Sequence, residues 1–522
     1  MSSSINLGLE RIRDLLPHLP HYTRPTIHVA GTNGKGSVTV LLSSILKASS
    51  YRVGRFNSPH LVSVLDSITI DDSPVAPDKY AEIRGRVEQA NTEHGVGATS
   101  FELLTATALC VFEDAQVDFA VIEVGMGGRL DATNAIPDEC ILVSALTVVD
   151  LDHQAYLGNT VEEIATEKAA IARRGRPFVL APQVHPRVNN VVRDVVWNAG
   201  GITIGVSPPW KRKWDLDIDG ERPQVNSLLA SEFVDIPQPV ACDLRPFPKP
   251  VCMLLPLRGD HQLLNLGTAL TIVGALLRHI DRSQFPHLRM EKFIRPETVI
   301  KGVRTARWPG RLSFHTVPLP FLPRHGRPER EEEVPPRSKY IILADGAHNS
   351  ASSATLSAFI SDLLTQTTQT TPDTPRTVTL SFALALSQSP PKTPLHTLSP
   401  LFAPINTILS SSHLLPNVTL RVRVALLRFT PPEGMPWVKS EAPSTIRSIV
   451  SALIPSADIW ASADDAADAA EELNNALAWA AQQQQTAAGE VGEGLIVVAG
   501  SLYLVADFYR LLRSQRAIDL ET

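Results

Sequence analysis

The chain has 522 residues, of which 43% are hydrophobic and 20% charged, and its formal net charge is −6. This composition is typical of soluble globular proteins, and the negative balance excludes a general electrostatic basis for binding nucleic acid or an anionic membrane. The length exceeds what a single hydrophobic core normally spans, so we expect two domains.

Cysteine usage and the N-terminal sequence bear on the compartment. The four cysteines (Cys110, Cys140, Cys242 and Cys252) show no CxxC or zinc-like spacing, which indicates free thiols in a reducing compartment. The first residues lack an apolar signal core, and no apolar run is long enough to span a membrane. We expect a cytoplasmic monomer without nucleic-acid or membrane partners; mitochondrial import is the alternative.

The first half of the chain alternates short apolar runs with helical periodicity, which predicts an α/β fold with a mostly parallel sheet. Strands are predicted at 26–30, 119–124, 141–145 and 177–180. Helices are predicted at 38–46, 101–112, 160–173, 187–198 and 261–277. The Pro-rich, basic stretch 206–250 is predicted to be irregular.

A glycine-rich turn follows the first predicted strand. Residues 28–37 read His-Val-Ala-Gly-Thr-Asn-Gly-Lys-Gly-Ser and lead into the first predicted helix. Backbone N–H groups and a helix N-terminus favour a bound phosphate there, and Lys35 adds a mobile positive charge. Gly36 separates Lys35 from Ser37, so this is a variant of the common P-loop spacing. The alternative is a simple turn with an exposed lysine.

Two acidic motifs follow predicted strands and are candidate metal ligands. Glu123 ends an otherwise apolar strand, where a carboxylate needs a metal or a charge partner. Asp152 and His153 follow the next strand, at the same expected edge of the sheet. A helix cap or an ion pair is the alternative for Glu123, and a structural role is the alternative for His153.

Lys168 lies on the apolar face of its predicted helix, together with Val161, Ile164, Ala165 and Ala172. Burial would lower its pKa, and the neutral amine can then take up CO₂ as a carbamate. A lysine that reaches water, or that pairs with Glu163 or Glu167, fits the pattern equally well.

The second half shows another α/β series, with strands predicted at 340–344, 377–384, 406–409, 457–460 and 495–499 and an Ala-rich helix at 464–482. Residues 308–311 and the Pro-rich 318–337 are predicted to form an interdomain connection and an inserted loop, and 365–375 and 387–400 surface loops. The prediction is therefore a P-loop-type, mostly parallel sheet domain at 1–306 and a smaller Rossmann-like α/β domain at 307–522.

The second predicted domain repeats the pattern of an apolar strand followed by a turn and a helix. Its turn reads Asp345-Gly346-Ala347-His348-Asn349. Asp345 is a candidate for contact with a ribose hydroxyl or a phosphate, and a helix cap is the alternative. Arg311, after Pro309 and Gly310, is a candidate phosphate ligand.

Together these motifs resemble the folate branch of the Mur ligase superfamily, the folylpolyglutamate synthases and dihydrofolate synthases. The similarity covers 31–37, 58–60, 123–134, 152–160, 167–169, 259–265, 308–311 and 345–349. The resemblance implies that ATP phosphorylates a pteroate-type carboxylate to an acyl phosphate. The amino group of L-glutamate then displaces phosphate to form an amide.

The resemblance also implies roles for individual residues. ATP is expected on Gly34, Lys35, Gly36, Ser37, Asn265, Arg311, Asp345 and His348. Two Mg²⁺ ions are expected, with Ser58, Glu123, His153 and a carbamylated Lys168 as ligands. Phe101, Leu130, Asp131 and Ala132 are expected to line the pterin pocket. Lys35, Lys168 and His153 are the expected catalytic residues.

Within the family the chain looks most like the fungal-type dihydrofolate synthases, which use 7,8-dihydropteroate, because of the compact start at Ser2–Leu9, Asn33 and the segment 433–437. The alternatives are a folylpolyglutamate synthase acting on tetrahydrofolate, an unrelated P-loop NTPase or kinase, and a pseudoenzyme. The chain departs from the family pattern upstream of Asn6, at Ala170 and at 387–392. The last departure leaves the role of Lys392 open.

Overall fold

The computed structural model describes residues 7–223, 236–280, 285–321, 338–370, 376–410, 417–433, 435, 438–465, 468–482, 484 and 493–520. The chain divides into two compact units. The first comprises Met1–Arg222 with Pro237–Trp308, and the second comprises Pro223–Ile236 with Pro309–Thr522.

The first unit contains an eight-stranded sheet in the order β4-β3-β2-β5-β1-β6-β7-β8. Its strands are β1 (Thr26–Ala30), β2 (Val53–Phe56), β3 (Ile68–Ile70), β4 (Ser73–Pro74), β5 (Phe119–Glu123), β6 (Ile141–Leu146), β7 (Pro177–Leu180) and β8 (Ile202–Gly205). Pairing is parallel from β2 to β8, whereas β3 and β4 add antiparallel strands at one edge. A smaller antiparallel sheet joins β9 (Trp210–Lys211), β10 (Gln238–Cys242) and β11 (Val251–Leu255).

Helices cover both faces of the large sheet. They are α1 (Glu10–Leu15), α2 (Lys35–Ala48), α3 (Pro77–Glu93), α4 (Ser100–Asp114), α5 (Gln154–Leu157), α6 (Val161–Ala169), α7 (Pro186–Asn198), α8 (Leu216–Asp219), α9 (His261–His279), α10 (Met290–Phe293) and α11 (Pro296–Thr305). The central strand β1 is buried at every position. Complete burial is expected for a central strand of a parallel sheet covered on both faces, and it includes the polar side chains of Thr26 and His28.

The second unit is built on a six-stranded sheet in the order β12-β13-β17-β14-β15-β16. Its strands are β12 (Ser313–Leu319), β13 (Ser338–Ala344), β14 (Arg376–Leu384), β15 (Val418–Leu426), β16 (Asp458–Ala461) and β17 (Gly494–Ala499), and only β12 runs antiparallel to its neighbour. The helices are α12 (Ser350–Thr370), α13 (Pro394–Ser410), α14 (Pro443–Leu453), α15 (Ala469–Gln482) and α16 (Leu502–Leu520).

The predicted α/β class with a mostly parallel sheet is confirmed, and the strands at 26–30 and 177–180 have the predicted bounds. Three assignments in the second half are wrong. The predicted strand 406–409 lies inside α13, the predicted loop 387–400 contains the start of that helix, and β15 was not predicted. The helix predicted at 160–173 ends at Ala169, and α12 extends to Thr370 through part of the predicted loop 365–375.

Proline explains the largest of these errors. Pro400 and Pro404 both lie within α13, where proline normally interrupts a helix. The helix buries Leu398, Leu401 and Phe402 against its own unit, so packing overrides the local preference. Parts of four predicted segments, 224–235, 322–337, 371–375 and three positions of 433–437, lie outside the described residues.

Candidate active site

The conformation of the turn between β1 and α2, residues 31–37, depends on two glycines and on a backbone hydrogen bond to the segment after β6. Gly31 and Gly34 have φ angles of +146° and +95°, and a Cβ atom on Gly34 would collide with Asn265 Oδ1. Thr32 N–H donates to Val148 O at 2.8 Å. The first α2 bond runs from Val38 N to Gly34 O, so the N–H groups of 35–37 precede the helix's own ladder and can bind an anion.

Two lysines converge on one carbonyl oxygen of this turn. Lys35 Nζ and Lys168 Nζ each donate to Gly31 O at 3.1 Å. Lys35 Nζ also lies 3.7 Å from Glu123 Oε1, at the end of β5. The structure thus brings together three of the predicted residues, from α2, α6 and β5.

Lys168 is buried, with 3% exposure. Burial, assisted by the positive charge of Lys35, lowers its pKa from 10.5 to about 7. The alternative of pairing with a neighbouring glutamate is wrong, because Glu163 accepts from Thr160 N at 3.1 Å and Glu167 pairs with Arg129 at 2.9 Å. A fraction of Lys168 is therefore a neutral, nucleophilic amine at neutral pH.

Glu123 is oriented by side chains that the sequence did not single out. Asn57 Nδ2 donates to Glu123 Oε2 at 2.6 Å, and Arg55 Nη1 donates to Asn57 Oδ1 at 3.0 Å. Asn57 Nδ2 also contacts Thr39 Oγ1 at 2.7 Å. The signal available in the sequence was a polar run after β2, in which Asn57 immediately precedes Ser58.

The predicted metal ligands fit an oxygen-seeking cation in part. Ser58 Oγ is buried and has no hydrogen-bond partner among the described residues, and Asn57, the residue before it, donates to the Glu123 carboxylate at 2.6 Å. His153 is different: its side chain is 44% exposed, with Nε2 3.9 Å from Asp152 Oδ2. The described residues hold no group of three or more His, Cys, Asp or Glu side chains arranged for a metal.

Residues of α9 and of the end of the first unit pack on the 31–37 turn. Gln262 Nε2 donates to Ser37 Oγ at 3.2 Å, and Asn265 Nδ2 donates to Gln262 Oε1 at 2.9 Å. A Cβ atom on Gly36 would lie 2.5 Å from Trp308 Cζ2. Gln262 and Trp308 thus join the predicted Asn265 as neighbours of the turn.

The 125–132 loop follows β5 and gathers the four predicted pterin residues. A Cβ atom on Gly125 would collide with the Phe101 ring and lie 3.0 Å from Asp131 Oδ2. Leu130 is half-buried, and Ala132, buried, begins a short 3-10 helix. Asp131 is 2% exposed, and burial raises its pKa. Its Oδ2 accepts from Met126 N at 2.7 Å, so this carboxylate holds the loop from within.

The turn after β13 is closed by its own hydrogen bonds. Asp345, buried and with a pKa raised by burial, accepts from Leu312 N at 2.8 Å and from Ala347 N at 2.9 Å. Asn349 Oδ1, rather than Asp345, makes the capping bond to α12, from Ser352 N at 2.9 Å. The side chain of Arg311 lies beside Gly346: a Cβ atom added to Gly346 would be 2.6 Å from Arg311 Nη1.

Lys392, whose role the sequence left open, supports the same turn. Its Nζ donates to His348 O at 2.6 Å, and Thr397 Oγ1 reaches the same oxygen at 3.3 Å. Together with Ser387 these residues line a small surface cleft. His348 Nδ1 lies 2.8 Å from Gly346 O, so Nδ1 carries the ring proton.

Comparison with known proteins places this geometry in a family. The family model described as dihydrofolate synthetase, C-terminal domain, matches residues 332–511. The dihydrofolate synthetase of Saccharomyces cerevisiae is 32% identical over 516 residues, which covers 98% of this chain and 99% of the yeast protein. A Bacillus subtilis dihydrofolate synthase/folylpolyglutamate synthase is 31% identical over 66% of this chain and 69% of its own length.

A solved structure from Yersinia pestis, a bifunctional folylpolyglutamate synthase/dihydrofolate synthase complexed with AMPPNP and Mn ion, has the same fold. The TM-score is 0.62 at 22% identity, over 98% of this chain and 95% of that one. Among the described residues, no helix is both long and apolar enough to cross a membrane.

Proposed function

The chain belongs to the dihydrofolate synthetase family, and from this premise we propose that it joins L-glutamate to 7,8-dihydropteroate, using ATP and releasing 7,8-dihydrofolate, ADP and phosphate. The observation that carries the proposal is the end-to-end match to the yeast enzyme. The convergence of Lys35, Lys168 and Glu123 at the 31–37 turn supports it, because such a site suits the negative charge of a triphosphate.

The reaction requires two anions, a carboxylate and a triphosphate, to approach each other. We propose that the N–H groups of 34–37 bind phosphate oxygens and that Lys35 exchanges its bond to Gly31 O for a phosphate oxygen. A substrate carboxylate oxygen then attacks the γ-phosphorus and ADP leaves. The glutamate amine attacks the acyl carbon, the C–O bond to phosphate breaks, and the amine loses a proton.

Two Mg²⁺ ions are part of the proposal, with Ser58, Glu123, His153 and a carbamylated Lys168 as ligands. The buried Ser58 Oγ, which has no partner within the described ranges, and the Glu123 carboxylate supply the oxygen ligands that Mg²⁺ prefers. When bound, Mg²⁺ neutralises the charge of the phosphate oxygens. Asn57 Nδ2 donates to Glu123 Oε2 at 2.6 Å, and Glu123 Oε1 lies 3.7 Å from Lys35 Nζ.

Carbamylation of Lys168 would reverse the charge at this position. The neutral amine attacks CO₂, a C–N bond forms, and one proton is released to solvent. The lowered pKa of Lys168, about 7, makes that amine available at neutral pH. A carbamate would replace a buried cation beside Lys35 with an anion, which relieves the repulsion between the two lysines and provides oxygen ligands.

The remaining predicted residues complete the proposal. Residues 1–306 would act as the ATPase domain and 307–522 as the second Mur ligase-type domain, with ATP contacts from Asn265, Arg311, Asp345 and His348. Phe101, Leu130, Asp131 and Ala132 would line the pterin pocket. We propose a cytoplasmic monomer that acts on small molecules alone, with no nucleic-acid or membrane partner.

One assay tests the acceptor. Purified enzyme is given ATP, Mg²⁺ and radiolabelled L-glutamate with either 7,8-dihydropteroate or tetrahydrofolate. We expect incorporation with dihydropteroate. The second candidate function is that of a folylpolyglutamate synthase, and the Bacillus relative, whose name includes both activities, supports it. Glutamate incorporation with tetrahydrofolate alone would establish this second function instead.

A further inference from the structure

A buried chain of hydrogen bonds runs from the central strand to the 125–132 loop. His28, on β1 and fully buried, has its Nε2 2.8 Å from Thr133 Oγ1. Thr133 Oγ1 in turn lies 2.5 Å from Asp131 Oδ1, and Thr133 N also donates to that oxygen at 3.1 Å. Neither His28 nor Thr133 has a role in the chemistry proposed above.

The direction of the donors follows from the partners. Asp131 receives bonds from Met126 N, Thr133 N and Thr133 Oγ1, which is the pattern of an ionised carboxylate accepting at both oxygens. Because Thr133 gives its only proton to Asp131, His28 Nε2 must donate to Thr133. His28 Nδ1 is buried and has no hydrogen-bond partner among the described residues, as expected of a neutral ring with its proton on Nε2. Burial lowers the pKa of His28 to about 3, so the ring is neutral at neutral pH.

These hydrogen bonds connect the 125–132 loop to β1, the strand that leads into the 31–37 turn. His28 pairs in register with Ile122 on β5 and Ser144 on β6, so its position is fixed by parallel strands on both sides. Three residues later the same strand reaches Gly31, whose carbonyl accepts both lysines. The 125–132 loop is fixed at the other end of the hydrogen-bond chain, through both oxygens of Asp131.

We propose that His28 and Thr133 are positioning residues for the acceptor, a brace that sets the 125–132 loop at a fixed distance from the 31–37 turn. The acceptor's carboxylate is thereby presented to the γ-phosphorus. This inference rests on the proposed function, since it takes the 125–132 loop as the pterin-binding loop. It goes beyond that function in assigning a role to two buried residues, His28 and Thr133, that the proposed chemistry does not use.

The test uses three variants of the full chain. Thr133→Val keeps the shape of the side chain and removes its hydroxyl. Thr133→Ser keeps the hydroxyl. Thr107→Val is the matched control, because Thr107 is also fully buried but donates only to Leu103 O within its own helix, at 2.7 Å. Steady-state kinetics are measured separately for the acceptor and for ATP, with thermal unfolding as a check on folding.

We expect Thr133→Val to raise the KM for the acceptor about tenfold, since a hydrogen bond to a charged group is lost, with the KM for ATP changed less than about twofold. Thr133→Ser should restore the acceptor KM, and Thr107→Val should leave it unchanged. A merely structural role would move the KM of both substrates, or neither. An unchanged acceptor KM in Thr133→Val, or failure of serine to restore it, would overturn the brace.

A fourth variant, His28→Leu, tests the proposal if Thr133→Val does not fold. His28→Leu removes the outer donor and leaves Thr133 and Asp131 in contact, and we expect about a threefold rise in acceptor KM with the KM for ATP unchanged. If the wild-type enzyme uses tetrahydrofolate and not dihydropteroate, the proposed acceptor is wrong. The brace is then tested with the same variants on tetrahydrofolate, so the two failures are distinct.

Discussion

The two units each present a buried strand, a glycine-containing turn and a helix, yet the two turns are chemically opposite. In the first unit, Lys35 and Lys168 donate hydrogen bonds to the Gly31 carbonyl oxygen. The N–H groups at the start of α2 precede the first backbone hydrogen bond of that helix. In the second unit, the turn uses its own groups: Ala347 N donates to Asp345, and His348 N and Asn349 N donate to Ser352 Oγ at 3.1 Å.

The two strand–turn–helix patterns of this chain are therefore not equivalent anion sites. In the second turn the N–H groups of 347–349 are already bonded, to Asp345 and Ser352, whereas in the first turn those of 35–37 precede the helical ladder and can bind an anion. The proposed nucleotide contacts at the second turn are accordingly made by side chains, those of Arg311, Asp345 and His348, and not by backbone N–H groups. The experiments below test this contrast.

Removal of Lys35 should have the largest effect. Lys35→Ala takes away the mobile cation of the first turn, and we expect kcat to fall by about 10³-fold or more, because a charge-stabilising group at the phosphates is lost. Turnover is measured with the preferred acceptor, and thermal unfolding should be unchanged. Lys47→Ala, at the exposed end of the same helix, is the control. Near-normal turnover in Lys35→Ala would refute the role of this turn.

Lys168→Ala should follow, with a loss of about 300-fold, since the proposed carbamate and its proposed metal contact would both be removed. If the native group is a carbamate, small carboxylic acids such as acetate or propionate should restore part of the activity by supplying the missing anion. The measurement is kcat against carboxylate concentration. Full activity without added acid would rule out the carbamate.

A matched pair of glycine substitutions compares the two turns directly. In Gly36→Ala the new methyl meets the ring of Trp308, a rigid neighbour, and we expect kcat/KM for ATP to fall about 50-fold through displacement of the turn. In Gly346→Ala the methyl meets the end of Arg311, which can move, and about fivefold is expected. Equal losses would show that the two turns are equally rigid toward ATP.

The smallest expected effect is on stability against pH. The folded pKa of Lys168, about 7, lies below its unfolded value of 10.5, so between these pH values the unfolded chain binds more protons and stability rises with pH. With CO₂ and metal removed, we expect Tm to rise by about 1–3 °C from pH 7 to pH 9 relative to Lys168→Met, in which this contribution is absent. Parallel Tm profiles for the two proteins would contradict a buried, titrating lysine.

The sequence predicted the first unit better than the second, for physical reasons. β1 and β7 are short, mostly apolar runs next to glycine or proline, so the local sequence indicates where each strand begins and ends. In α13 packing outweighs two prolines. In β15 a charged residue points inward: Arg423 is buried against the Trp479 ring, at 5.7 Å, and pairs with Asp458 at 3.3 Å. Neither arrangement has a local signature.

In the candidate site, too, some features could be predicted from the local sequence and others could not. The burial of Lys168 followed from helical periodicity, but its contact with Gly31 O joins residues 137 positions apart and depends on the order of the strands. Asn57 was missed because a neutral amide produces no charge pattern, although it holds Glu123. The exposed position of His153 likewise could not be predicted from its place after a strand.

The packing of Trp308 on Gly36 has a practical consequence. Indole emission depends on the electric field around the ring, and this ring lies against the turn that would receive a triphosphate, with Arg55 5.5 Å from its centre. The chain thus has a built-in optical reporter. Replacing the exposed Trp197 and Trp210 with phenylalanine would lower the background fluorescence, so that nucleotide arrival could be followed in real time without an attached dye.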